Sequence, residues 1–367
     1  MHAVGIKDAG DFDNGSILGS QYMKTTIDAS LQQRASSESA YLSAFDDLPN
    51  LTIFTHTSGS KVLFDKYKKA TGVVAENTGI PFTLKVKNEV ILSGGAFHSP
   101  QLLMLSGVGP SEVLKDFDIP IVHNNPHVGQ NLSDHVWFGV SIRTKLETAS
   151  LWNYDLDYRL RVFQDFSQHH EGPLTSNGGD FAAFEKVPHD LRDDFTESAI
   201  QDLDAFPKDW PDIEYVVAPT FLGDFRSPQP NDGYQYASIA AALMAPISRG
   251  NITIQSSSIH DPPLINPAVL ASTTDQQVAI AAFKRLRQML ASSELAPIRI
   301  GDEYYPGKRV KDDDESILEH LKDAASVYYH AGGTCKMGDP ERSETAAVVD
   351  SKARVIGVMG LRVVDAS

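Results

Sequence analysis

The chain has 367 residues, about two and a half domains' worth, and Lys+Arg 32 against Asp+Glu 48 leave a formal net charge of −16. That is the wrong sign in bulk for a surface that tracks phosphates, and 41% hydrophobic with 22% charged residues excludes disorder of the whole chain. The single cysteine, Cys335, excludes an intramolecular disulfide framework and a multi-thiolate zinc or iron–sulfur site.

Residues 1–45 are polar and Gly/Ser-rich, with no basic stretch leading into an apolar one, so no signal peptide is visible. Arg34-Ala35-Ser36-Ser37-Glu38-Ser39 opens a short segment around Ala40–Phe45. Leu51–Thr55, Lys61–Phe64, Gly72–Ala75, Phe82–Val86 and Glu89–Leu92 read as strands separated by turn residues. The last runs into Ser93-Gly94-Gly95-Ala96-Phe97-His98-Ser99-Pro100, then Gln101–Ser106: strand, glycine turn, proline near a helix start, and an apolar helix ending at Gly107.

A second texture begins at His135. It predicts a strand over Val136–Thr144, a helix over Leu156–Phe166, and strands over Ile213–Phe221, Tyr234–Met244 and Asn251–Gln255, with proline-rich loops between them. Val278, Ala282, Leu286 and Met289 recur at helical spacing in Asp275–Ser292, with Thr273 or Thr274 as N-cap. Asp312-Asp313-Asp314-Glu315 places negative charge at the start of a helix over Ser316–Ala325, as the helix dipole favours. Ala347–Asp365 then alternates short apolar strands with glycines, and the whole order suggests one domain interrupted by another. No apolar run reaches the roughly 20 residues a membrane helix needs. Asn-x-Ser/Thr triplets at Asn14, Asn50, Asn131 and Asn251 carry little weight where Ser and Thr are so common.

Three segments hold residues suited to chemistry. Gly94-Gly95-Ala96 lets backbone approach a ligand and aims helix amides at an anion, or is a bare tight turn. No G-x-G-x-x-G run opens a strand–helix unit, so spacing alone places no pyrophosphate. In Tyr328–Gly338, His330 precedes two glycines and is either a proton-transfer group or a satisfied structural histidine. Cys335 beside Lys336 is either an activated thiol or, the better reading, a small buried hydrophobe. In Gly129–His135, Asp134 and His135 are neighbours in an extended segment and point to opposite faces, which suits a polar hinge rather than a catalytic pair. Gly-x-Ser-x-Gly and His-Glu-x-x-His are absent, and the histidines lack ligand spacing, which argues against an α/β serine hydrolase, a zincin and a metal site.

Taken in order, Arg34–Leu42, Val90–Pro110 (V-I-L-S-G-G-A-F-H-S-P-Q-L-L-M-L-S-G-V-G-P), Val128–His135, Tyr329–Gly338 and Ala347–Ser367 resemble the glucose–methanol–choline (GMC) oxidoreductases, flavoproteins that oxidise alcohols. The resemblance runs from about residue 12 to the last residue and is closest in style to fungal members. It implies a mixed α/β fold: a partial FAD-binding GMC fold with an inserted substrate domain of antiparallel sheet plus helices. Residues 1–47 would be a connecting segment, 48–134 and 326–367 parts of the FAD-binding domain, and 135–325 the substrate-binding domain.

The resemblance puts His330 on the family's active-site histidine, Asp365 and Ala366 on a pair contacting the flavin, and Gly95 and Ala96 on a glycine turn near FAD. Gly59 falls where the family's backbone meets the adenine. The implied cofactor is FAD and the implied partner a small-molecule alcohol, with no metal, nucleic acid or membrane partner. The family's glycine fingerprint and ribose-holding acid have no counterpart here, and its second catalytic His or Asn is expected beyond Ser367, so the resemblance implies a fragment. The competing expectations are a catalytically inactive or non-redox protein of the same fold, and a pure binding module built on residues 135–325.

Overall fold

The computed structural model describes residues 1–45, 48–223, 228–339, 341–342 and 346–367, so the expected boundary at residue 47 lies outside the described residues. The chain divides into two compact units: unit 1 is Met1–Leu51, His135–Ile247 and Leu270–Tyr328, and unit 2 is Thr52–Asp134, Ser248–Val269 and Tyr329–Ser367.

Unit 1 is built on a seven-stranded antiparallel sheet. Its strands run in the order Gly19–Tyr22, Phe181–Glu185, Ile213–Ala218, Gln235–Leu243 and Val136–Thr144; Arg299–Tyr305 and Ser326–Val327 share the far edge of the last. The first pairing explains why Met1–Leu51 falls with this unit. Alternation sends Phe138, Val140 and Ile142 to the same face as Ala241, Ile239 and Ala237, and all six are buried or nearly so. The helix Thr273–Ala291 covers that face, with Phe283 against Phe138 at 6.4 Å between ring centroids. Its N-cap is Ser272, one residue before the expected threonines: Ser272 holds the extended backbone a cap requires, and its hydroxyl accepts from the Thr274 N–H at 3.1 Å. The acidic run does open a helix, Asp314–Ala324, capped by Asp313.

Unit 2 contains an antiparallel meander of Thr57–Phe64, Ala70–Asn77 and Ile80–Lys85, and a parallel pair, Val90–Leu92 with Leu361–Val363. A three-stranded patch of Leu264–Asn266, Gly250–Thr253 and Gln130–Leu132 draws Ser248–Val269 into this unit. The helix Gly95–Leu105 packs its Leu103, Met104 and Leu105 into a core with Val90, Leu92, Val128, Ile254 and Val363.

Two expected strand regions differ. Leu51–Thr55 forms no strand, because Thr57–Phe64 takes the pairing with Ala70–Asn77 and leaves Ile53 and Phe54 half exposed. Ala347–Asp365 holds one three-residue strand; elsewhere its pairings are single bridges, interrupted where Gly357 and Gly360 turn at positive φ. Among the described residues no helix is long and apolar enough to cross a membrane.

Candidate active site

Parallel pairing in unit 2 assembles the site. Val90–Leu92 leads into Gly94 and Gly95, and Leu361–Val363 runs beside it in the same direction, continued by Val364 N–H donating to Leu92 O at 2.9 Å. The parallel register therefore delivers Asp365 to the head of the helix Gly95–Leu105. Gly95, at φ +76, donates its N–H to Asp365 Oδ2 at 2.9 Å, and the Ser99 hydroxyl donates to the same oxygen at 2.5 Å. Ser367 N–H reaches Asp365 Oδ1 at 2.8 Å. Partial desolvation favours the neutral form of this carboxyl, but hydrogen bonds from Ser367, Ser99 and Gly95 outweigh it and hold Asp365 below the ordinary carboxylate value.

The helix begins six residues earlier than the sequence predicts, so Pro100 lies inside it. Proline has no N–H to donate to the carbonyl four residues back, here Ala96. The buried Thr334 hydroxyl supplies that bond instead, donating to Ala96 O at 2.6 Å. The proline thus frees a carbonyl that ties the helix head to the segment behind His330.

That segment is held by backbone. Ser133 and Gly332 exchange N–H···O bonds of 3.0 and 2.9 Å, Gly129 N–H donates to Thr334 O at 2.9 Å, and Gly333 N–H donates to Ala366 O at 3.1 Å. A Cβ on Gly332 would sit 2.7 Å from Ala366 O, and one on Gly333, at φ +84, 2.8 Å from Asn131 O. Only glycine permits both approaches. His330 is exposed, and its backbone N–H donates to Asp134 Oδ1 at 2.9 Å, giving Asp134 a role in fixing the loop. Cys335 is 1% exposed, and burial pushes its thiol up to about 12, so it behaves as a small hydrophobe.

The structure brings Gly95, Ala96, Asp365 and Ala366 together and binds the His330 segment to them through Thr334 and Gly333. Gly59 stands apart, exposed near the start of the strand Thr57–Phe64 and opposite Ala75; that strand meets the helix further along, where the buried Val62 donates its N–H to Ser106 Oγ at 2.8 Å. Ser99, Thr334 and Asp134 escape sequence reasoning as site residues. Pro100 is the one local signal for Thr334, since a proline inside a helix announces an orphaned carbonyl.

The assembly suits a polar ligand at the helix head. Gly94 offers no capping side chain and the first turn carries no acid, so it is Asp365, from the distant C-terminal strand, that places a carboxylate on the Gly95 N–H, where the positive end of the helix dipole favours it. A Cβ at Gly95 would meet nothing within 4 Å, which leaves room against the backbone. Among the described residues no group of three or more His, Cys, Asp or Glu is placed to hold a metal ion.

GMC oxidoreductase family models match residues 4–137 and 246–367, together more than half of the chain. Patulin synthase of Aspergillus clavatus is 41% identical over 99% of this chain, and versicolorin B synthase of Aspergillus parasiticus 40% identical over 99%. The chain spans 58% of the length of the first and 55% of the second. Formate oxidase, a solved structure, superposes with a TM-score of 0.84 at 24% identity, over 95% of this chain and 61% of its own, which is a likeness of fold. The mixed α/β architecture and the order of its segments are those of that fold, and the chain belongs to the GMC oxidoreductase family.

Proposed function

We propose that the chain is an FAD-dependent oxidoreductase, or the greater part of one, acting on the CH–OH group of a small-molecule alcohol. The observation that carries this reading is the convergence of Gly95, Ala96, Asp365 and Ala366 at the helix head, joined by the segment that follows His330. Family membership and fungal relatives near 40% identity support it. In this reading unit 2 carries cofactor binding and the unit 1 sheet substrate recognition.

Gly95, Ala96, Asp365 and Ala366 would hold the flavin, with Gly59 offering a backbone contact for the adenine. When bound, FAD supplies an acceptor for the hydride that leaves the alcohol carbon. A ring nitrogen of His330 takes the hydroxyl proton, so that alkoxide character develops on the substrate oxygen as the C–H bond breaks. Asp134 steadies the His330 backbone, and the Gly332–Gly333 contacts hold the histidine segment against Ala366. Asp365 stays ionised at neutral pH and keeps its three donors.

The test is to titrate the purified chain with FAD, follow the visible flavin bands, and assay oxidation of primary and benzylic alcohols with a dye acceptor. His330→Ala should keep the yellow colour and lose roughly 10²–10⁴-fold in turnover. A chain that stays colourless with FAD overturns the cofactor assignment, and an undiminished rate in His330→Ala overturns the proton-transfer role.

A further inference from the structure

His2–Val4 is a single helical turn, and it ends as much longer helices end. Gly5 follows at φ 86 and ψ 5, in the left-handed region. Its N–H donates to His2 O at 2.9 Å, and the next amide, Ile6 N–H, reaches back to Met1 O at 3.3 Å. Paired reversed bonds around a left-handed glycine are the common exit of an α-helix, and Ile6 completes the exit by burying its side chain to 4% exposure. Arg285, on the helix Thr273–Ala291, serves the same end: its Nη2 donates to Val4 O at 2.5 Å, placing a cation where a helix dipole is negative. A lone turn fixes about six dihedrals for one hydrogen bond, so it gains little from two such caps, whereas a longer helix gains a bond with each residue added.

Beside this turn, on the helix-covered face of the unit 1 sheet, lies a largely apolar groove of about 620 Å³. Ile142, Val217 and Ile239 line it from the sheet and Met289 and Leu290 from the helix, with Leu146 half exposed at its rim. Met1, His2, Ala3 and Val4 all border it. The hydroxyls that reach it are used inside the chain: Ser20 donates to Lys7 O at 3.4 Å and Thr148 to Gln235 Oε1 at 3.0 Å. At the border Asp8 holds His2 and Glu147 holds Arg161. Such a lining asks for apolar side chains and offers a polar small molecule little to bond.

We propose that this groove seats an amphipathic α-helix whose last turn is Met1–Val4, lying on the sheet beside Thr273–Ala291. Helices packed side by side, with axes about 8–10 Å apart, are the usual cover of a sheet face. The turn that borders the groove is the one that the Gly5 exit terminates and Arg285 caps, so the occupant is a helix joined to the amino side of Met1 rather than a free ligand. Its apolar stripe meets Ile142, Ile239 and Met289, and its polar side faces water. The surface lies within unit 1, owes nothing to the flavin, and is read without turnover.

Two forms of the full chain test this, each extended at Met1 by about fourteen Ala, Glu, Lys and Leu residues, a length that is only marginally helical by itself in water. In one the leucines continue the Met1 face at three- and four-residue steps; in the other the same residues are rotated half a turn. Amide exchange within the first extension should be slower than within the second by about tenfold or more. Leu146→Glu alters a half-exposed rim residue, spares the core, and should remove the difference. Gly5→Val should reduce it; a Cβ there meets nothing within 4 Å, so only the backbone conformation of the exit is tested. Equal exchange in the two extensions, or a difference that survives both substitutions, overturns the proposal. A dimer of the unextended chain in sedimentation that Leu146→Glu dissolves gives the groove to a second copy and overturns it as well.

Discussion

Asp365 in unit 2 and Glu214 in unit 1 are both carboxyl groups at a sheet, and their acidities move in opposite directions. Asp365 stands at the surface with donors from Gly95, Ser99 and Ser367, so its charge is held by the molecule itself. Glu214 is buried between Phe184 and Ala242 with no donor among the described residues, so its charge is resisted. The lesson concerns construction. The unit 2 site is made largely from backbone brought close by glycines, whereas Glu214 is placed by sheet register, which buries it and supplies no donor among the described residues.

The comparison breaks first at the glycines. Gly333→Ala should destabilise the protein by roughly 3–4 kcal/mol, because the residue sits at φ +84 and the new Cβ would be 2.8 Å from Asn131 O, a backbone atom that cannot swing away. Urea melts of wild type and variant measure this, and a loss below about 1 kcal/mol would show that the close approach is not needed.

The next effect sharpens the Glu214 side. A carboxyl raised from 4.5 to about 7 in the native state contributes its stability fully below the unfolded value and loses it as pH rises through the native one. Stability should therefore fall between pH 4.5 and about 7 by roughly 3 kcal/mol from this group. Glu214→Gln should flatten that slope, and an unchanged profile in denaturant melts at several pH values would refute the assignment.

Thr334→Val is smaller, about 1–2 kcal/mol, since it strips a buried hydrogen bond from the Ala96 carbonyl that Pro100 leaves open. Pro100→Ala tests the same account from the other side: by restoring an N–H it should soften the loss in the double variant. Additive losses would sink the coupling.

Asp365→Asn has the smallest expected effect on stability. The depressed carboxyl contributes above its ordinary value of 3.8 and loses that contribution as pH falls through its lower native one. The asparagine variant should lack this acid limb, and an identical acid limb in both proteins would count against the donor set around Asp365.

Much of the local grammar was legible before any coordinates. The strand–glycine–helix order after Val90, a helix over Asp275–Ser292 and the acidic start of the helix after Asp312 follow from glycine, periodicity and charge, which act within a few residues, and the observed helices Gly95–Leu105, Thr273–Ala291 and Asp314–Ala324 differ from them in their bounds. Leu51–Thr55 misled because β-rich composition says nothing about whether a partner strand is at hand. Pro100 looked like a helix start because the hydroxyl that makes it tolerable in the interior comes from Thr334, 238 residues away from the carbonyl it serves. Glu214 carried no signal at all: an acid inside a β-run reads as a solvent-facing residue until the sheet is assembled around it.

By itself the sequence determined the family, the glycine turn, the histidine segment and the approximate elements, because these depend on residue type and short spacing. The tertiary structure alone decided that Asp365 meets Gly95, that Thr334 meets Ala96 and that Glu214 is buried without a donor among the described residues. Each of those is a matter of which distant strands lie side by side, and pairing between strands is a property of the folded chain rather than of any one segment.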